Sequence, residues 1–415
     1  MKSMIAEIIS VGDELLIGAT VNTNAAFMGQ KLTEQGVEVR WISTVGDDSD
    51  RLFSALDTAV KRADVILLTG GLGPTHDDMT RNEVARFFRR PLVFQPDIYR
   101  QLEHYFHSRK WVLSPLNRKQ AEIPRDAEVL RNSVGTAPGF YLKTDRVHCF
   151  VLPGVPREMK KMMTESVLPR LIQFLPETGY LSKSLHTIGI SESVLNEKFK
   201  SFGSDFPEVQ LASLPNSEGV SLRLSVMTNE DSLKNRFHQA LRFSREAAGR
   251  HIYGEDEERL ETVVGQLLLK RKQTIAVAES CTGGLISHRL TNIPGSSAYF
   301  ERAVVSYSNR SKMELLQVPE SVLQEHGAVS AETALAMAEG ILSLSKADIG
   351  LSVTGIAGPD GGSKEKPVGL VYIGYASREQ KDVRRFIFSK DRLMNKARTA
   401  AYALNMVRLM LQDST

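Results

Sequence analysis

At both ends of this chain, short runs of core-type residues end on glycine-rich turns that open into helical patterns. That alternation constrains the fold more than any other feature. EIISVG (7–12) is a β-branched run, residues 24–35 carry helical apolar spacing, and VEVRWISTV (37–45) reads as a strand. Residues 52–62 follow as a helix and DVILLTGG (64–71) as a strand buried on both faces. A β-α-β-α-β rhythm predicts a parallel, doubly wound sheet, in which ligands sit beyond the carboxyl ends of the strands. The first segment concentrates its Gly, Asp and Thr there, and VHCFVLPGVP (147–156) adds another buried strand ending in a Gly/Pro turn.

The alternation returns after residue 255. TIAVAES (274–280) is a strand ending on a serine, ADIGLSVTG (347–355) a strand ending on Thr-Gly, and VGLVYIGYA (368–376) a third. Between the two alternating regions, LHTIGIS and VSLRLSVMT read as strands beside helical patterns, a small α+β unit without a dense cluster of chemical residues. The charged run EDEERLE (255–261) reads as a hinge into a helix. The expected class is α/β: two three-layer α/β domains with mainly parallel sheets (1–175 and 255–415), joined by a small α+β domain (176–254). At 415 residues, two or three domains are expected.

Composition narrows the function classes. Lys+Arg 52 against Asp+Glu 49 leaves a net charge of +3, no footprint of a dedicated nucleic-acid binder. The acidic residues near the start do not suit a signal peptide, and no apolar run is long enough to span a membrane. Two cysteines, Cys149 and Cys281, cannot form a disulfide framework and suit a reducing compartment. The expected location is cytoplasmic.

AESCTGGL (278–285) carries the chemistry. Glycines at a strand-to-helix turn free backbone N–H groups to face a ligand, and a helix N-terminus favours negative charge. Ser280 on that turn is placed like a nucleophile beside an oxyanion site, with Thr282, Gly283 and Gly284 as the lining. A plain N-cap or a phosphate loop fits the same pattern. VVSYSNRSK (304–312) sets Tyr307 and Lys312 in what reads as a polar loop. VTGIAGPDGG (353–362) places Thr354, Gly355, Gly358 and Asp360 near a second N–H-rich turn, and SKDR (389–392) adds Arg392 before the last helix. Nothing here indicates a Ser-His-Asp triad. Cys281 reads as a small buried thiol.

AESCTGG, GSSAYFERAVVSYSNRSK, HGAVS, TGIAGPDGG, KPVG and SKDR, in this order, closely resemble the CinA C-terminal domain, the nicotinamide-nucleotide amidase family. The resemblance implies deamidation of nicotinamide mononucleotide to nicotinate mononucleotide and ammonia, with no cofactor. It makes Ser280 the nucleophile and Lys312 its general base, with Tyr307 relaying or polarising. Thr354 falls in the oxyanion and amide region, and Arg392 pairs with the phosphate. Without the resemblance, Lys312 reads more readily as a solvated surface lysine than as a catalytic base.

TGGLGPTHDDMT (69–80), with ISVGDELLIG, SVGTAPGF and LPGVPREM, resembles the molybdopterin-binding (MogA/MoeA-like) domain of full-length CinA proteins. This implies hydrolysis of ADP-ribose to AMP and ribose 5-phosphate with a divalent metal cation. Asp13, Glu14, Asp77 and Asp78 are the candidate metal ligands, with Thr80 beside them; Gly70, Gly71, Gly73 and Thr136 would line the nucleotide. Binding without turnover, or acids that merely cap helices, are the alternatives for this domain, and His76 reads equally as a loop residue or a ligand. A homodimer is expected, with no membrane and no strong nucleic-acid partner. A non-enzymatic adaptor in competence or DNA repair, or a molybdopterin-handling protein, are the competing functions.

Overall fold

The computed structural model describes residues 4–175 and 179–413. It packs into two compact units: the described residues up to 180 with 227–229, and 181–226 with those from 230 onward. The expected junction at 175/176 borders residues outside the described ones.

The first unit is built on strands β1 (Ile5–Val11), β2 (Glu38–Val45), β3 (Val65–Thr69), β4 (Leu92–Phe94), β5 (Glu122–Pro124), β6 (Glu128–Leu130), β7 (Gly139–Lys143) and β8 (His148–Leu152). Six of them form one sheet in the order β2-β1-β3-β8-β7-β6; β4 pairs with β5 separately. β2, β1, β3 and β8 run parallel; β7 pairs antiparallel with β8, and β6 antiparallel with β7. Helices α1 (Thr23–Glu34), α2 (Ser49–Arg62) and α3 (Thr80–Phe87) make the connections. Strand alternation sends Ile9, Ile66 and Leu68 to one apolar layer and Ala6, Ile8 and Leu67 to the other. That two-sided burial is why β1 and β3 read as continuous apolar runs.

The second unit contains two sheets. The middle segment supplies β9 (Tyr180–Ile188), β10 (Gln210–Pro215), β11 (Gly219–Met227) and β12 (Ile252–Glu255), ordered β10-β11-β9-β12, with α4 (Asp231–Ala248). The C-terminal segment supplies β13 (Ile275–Glu279), β14 (Phe300–Val305), β15 (Ile349–Gly355), β16 (Leu370–Ser377) and β17 (Lys381–Ile387), ordered β14-β13-β15-β16-β17. Its helices are α5 (Leu260–Arg271), α6 (Leu285–Thr291), α7 (Asn309–Leu316), α8 (Ala331–Ser345) and α9 (Arg392–Asp413). β14, β13 and β15 are parallel, whereas β16 and β17 are antiparallel. The direction switches because a loop without a helix joins β15 to β16, and only a crossover could restore parallel pairing.

The run 255–261 is no loose hinge. Lys183 pairs with Asp256 at 2.7 Å, Arg245 with Glu255 at 2.8 Å, and Arg289 with both Glu261 (2.6 Å) and Glu218 (2.8 Å). Arg408 of α9 is fully buried and donates to the carbonyls of Arg250 (2.8 Å) and Ile252 (3.0 Å). These bonds span the middle and C-terminal segments and join them in one unit. Burial holds the Arg408 pKa down at about 10, since no carboxylate offsets its desolvation by direct pairing.

Candidate active site

Strand β13 alternates strictly. Ile275 and Val277 enter the layer shared with α5, α6 and α9, while Ala276 and Ala278 enter the layer under α8. Continuing the alternation sends Glu279 to the first layer and Ser280 to the second. Glu279 is completely buried. Its Oε2 accepts from Gly284 N–H (2.9 Å) and Ile286 N–H (3.2 Å), and its Oε1 from Ser287 N–H (2.9 Å) and Ser287 Oγ (2.5 Å). A carboxylate of the chain itself therefore occupies the N-terminus of α6. In the turn expected to line a ligand, Gly284 N–H is already spent on Glu279, and Ser280 N–H and Gly283 N–H go to Val353 O and Ser280 O. Gly283 and Gly284 serve the turn instead, with φ of +61° and +96°.

Ser280 faces Lys312. The lysine lies in α7 rather than in the polar loop the sequence suggests. Ser308 caps that helix reciprocally: Ser311 N–H donates to Ser308 Oγ (3.1 Å) and Ser308 N–H to Ser311 Oγ (3.0 Å). The helix turns Lys312 inward, leaving it 1% exposed. Its Nζ donates to Ser280 Oγ at 3.2 Å and to the Ser306 carbonyl at 2.8 Å. Burial without a carboxylate partner lowers its pKa from 10.5 to about 8. Cys281 is buried, with its thiol pushed up to about 12 by desolvation, and so is no thiolate.

The other candidates surround this pair unequally. Thr282 is fully buried and its Oγ1 has no partner among the described residues. Thr354 is buried on β15, but its hydroxyl is committed to Ala328 O at 2.6 Å. Tyr307 is 61% exposed, and its oxygen accepts from Arg392 Nη2 at 2.9 Å. Arg392 also donates to Gly358 O at 2.7 Å, so it ties the Tyr307 turn to the Gly358 turn. Asp360 is exposed, and Gly355 packs against the Leu370 carbonyl. Lys396, one turn into α9, was not singled out in the sequence; its Nζ lies 3.7 Å from where a Cβ on Gly283 would stand.

In the first unit, the glycines answer to packing. A Cβ on Gly70 would stand 2.2 Å from Val11 O, on Gly71 2.2 Å from Thr80 Oγ1, and on Gly73 2.4 Å from Asp78 Oδ2. Asp78 closes its own turn, accepting from Thr75 N–H (2.8 Å) and Thr75 Oγ (2.5 Å). Asp13 bonds reciprocally with Asp47: Asp13 N–H donates to Asp47 (3.1 Å) and Asp47 N–H to Asp13 (3.2 Å). Burial raises the Asp47 pKa, and the charges of Asp13, Glu14 and Asp77 add to the rise. The motif reading did not single out Asp47, which lies beside Asp13. Asp13, Glu14, Asp77 and Asp78 do not converge as a metal site, and among the described residues no group of three or more His, Cys, Asp or Glu does. The side chains as they lie do not fit a bound divalent cation. Thr136 Oγ accepts from Gln120 Nε2 at 3.4 Å, and Gly135 abuts the Glu158 carboxyl. Two buried polar atoms, Thr80 Oγ1 and Asn24 Oδ1, have no partner among the described residues.

Comparison with known proteins covers almost the whole length. Residues 257–411 match the CinA C-terminal domain, residues 7–173 the model described as "Probable molybdopterin binding domain", and residues 182–254 the damage-inducible protein CinA KH domain. A protein of Caldicellulosiruptor bescii named for competence-damage inducibility is 47% identical over 99% of this chain and 100% of its own. One of Halothermothrix orenii with the same name is 49% identical over 90% of each chain. A CinA-like protein of Chloroherpeton thalassium is 44% identical over 99% of this chain and 100% of its own.

Proposed function

Since the chain belongs to the CinA family, we propose that its C-terminal segment is a serine amidohydrolase acting on the carboxamide of nicotinamide mononucleotide. The observation that carries this reading is the buried Lys312 Nζ, 3.2 Å from Ser280 Oγ, with a pKa lowered to about 8. A serine hydroxyl is a weak nucleophile until a neighbouring base takes its proton. With a pKa near 8, roughly a tenth of Lys312 is neutral at pH 7. The Ser306 carbonyl holds one N–H, which leaves the lone pair for Ser280.

Ser280 Oγ attacks the amide carbon as its proton passes to Lys312. As the tetrahedral intermediate collapses, the amide nitrogen takes up the proton that Lys312 had accepted, the C–N bond breaks and ammonia leaves. Water hydrolyses the resulting ester by the same route, releasing nicotinate mononucleotide and restoring Ser280. Within the turn, the N–H groups of Ser280, Gly283 and Gly284 are engaged, so in this reading the developing oxyanion falls to those of the Cys281–Thr282 stretch. Arg392 and Lys396 supply positive charge for the phosphate, Arg392 by a fork that a lysine cannot copy. Ammonia release from nicotinamide mononucleotide by the intact protein tests this reading. No release above the uncatalysed rate would end it.

A second reading concerns the first unit, where we propose binding and hydrolysis of ADP-ribose. Thr80 Oγ1 and Asn24 Oδ1, buried and unpartnered, favour a polar ligand. No step is assigned to a metal, because the acids do not form a site for one. Measuring AMP release from ADP-ribose with and without added divalent cation is the check, and none in either condition removes the reading. Nucleic-acid binding has less support. Residues 182–254 contain no Gly-x-x-Gly, the loop by which KH modules clamp a nucleotide backbone.

A further inference from the structure

Ser306 is fully buried, yet its Oγ meets no hydrogen-bond partner among the described residues. A buried hydroxyl left without a partner is destabilising, so it suits a group that arrives with the substrate. The backbone of Ser306 already serves the site. Its N–H donates to Glu279 O at 2.8 Å, and its carbonyl holds Lys312 Nζ at 2.8 Å. The first of these bonds extends the β13–β14 ladder beyond Glu279–Val305 and sets Ser306 beside Ser280. Residues opposite each other in a parallel pair face the same side. Two residues earlier, Ala278 and Val304 share the layer under α8, so Ser280 and Ser306 continue on that face, where Lys312 lies.

Resting on the amidase reading above, we propose that Ser306 Oγ is a third catalytic group, which passes the proton from Lys312 to the departing amide nitrogen. Ammonia leaves a tetrahedral intermediate only when its nitrogen is protonated. Lys312 takes the Ser280 proton during attack while the Ser306 carbonyl holds it at 2.8 Å. A hydroxyl donates and accepts at once. As the C–N bond breaks, the nitrogen takes the Ser306 proton, and Lys312, bonded in the resting site to the Ser306 carbonyl and not to its hydroxyl, turns to give its own proton to Ser306 Oγ. Ammonia, the Ser280 ester and neutral Lys312 result, and Ser306 is unchanged.

The test compares Ser306→Ala and Ser306→Thr in the intact protein on two substrates. One is nicotinamide mononucleotide; the other is the methyl ester of nicotinate mononucleotide, whose leaving group needs little protonation. The expected result is a loss of roughly 100-fold in kcat on the amide for Ser306→Ala, with KM and ester turnover within about threefold. Ser306→Thr, which keeps the hydroxyl, should restore most of the amide rate. Amide turnover kept within threefold in Ser306→Ala overturns the proposal. Equal loss on amide and ester without rescue by threonine also overturns it, because that is a structural effect. A wild-type protein that cleaves neither substrate overturns the amidase reading itself, and this inference with it.

Discussion

Glu279 and Ser280, adjacent in the chain, project to opposite faces of one sheet and do separate work there. Glu279 is enclosed by four donors at the start of α6, while Ser280 meets Lys312 from α7. One strand end thus anchors the helix behind it and presents the proposed nucleophile in front. Replacing the first residue is a question of stability, and replacing the second is one of chemistry.

Ser280→Ala removes the oxygen proposed to attack and little else. Ammonia release should fall on the order of a thousandfold or more, with the unfolding midpoint unchanged within error. The wild-type rate should also be indifferent to a chelator, since a serine and a neutral lysine supply nucleophile and base. A variant releasing ammonia near the wild-type rate would dismiss Ser280, and chelator sensitivity would dismiss the metal-free route.

Lys312→Arg keeps the charge but cannot accept a proton. Its kcat should drop at least a hundredfold at every pH from 6 to 9. In the wild type, kcat/KM should rise with pH and level off above an apparent pKa of about 8, the value burial gives Lys312. An arginine variant holding a large share of kcat would reduce Lys312 to a binding charge and turn attention to Tyr307.

Lys312→Met should make the fold more stable at pH 7. The folded pKa, about 8, lies below the unfolded value of 10.5, so the unfolded chain binds the proton more tightly. The penalty is complete below pH 8, shrinks between pH 8 and 10.5, and is absent above. A shift of this size amounts to about 3 kcal/mol, an upper bound on the gain. Urea unfolding of variant and wild type at pH 7 and pH 10 should show the difference narrowing as pH rises. A gap that stays constant or widens would contradict the assignment.

Glu279→Gln retains the shape and loses the charge. One side-chain oxygen cannot accept all the donors from Gly284, Ile286 and Ser287, and the helix N-terminus loses its counter-charge. A loss of about 2–3 kcal/mol is expected, together with a fall in amidase rate as the Ser280 turn loosens. Wild-type stability and rate in this variant would mean that the buried carboxylate is incidental.

Periodicity and turn chemistry by themselves determined the α/β class, the strand ending on Ser280 and the helix after it, because these are local properties of neighbouring residues. Six ordered motifs sufficed to relate the C-terminal segment to one family. What the sequence left open depends on residues far apart. Whether Lys312 is solvated or buried is decided by α7 packing onto a sheet whose strands come from residues 275–387. Glu279 can fill the helix N-terminus only because the turn folds back over it, and no spacing rule separates that carboxylate from one waiting for a metal. Asp47 joins Asp13 across 34 positions, and Ser306 aligns with Ser280 through the register of β13 and β14. Burial, register and the removal of water belong to the packed chain, and they decide which of the candidate groups carry chemistry.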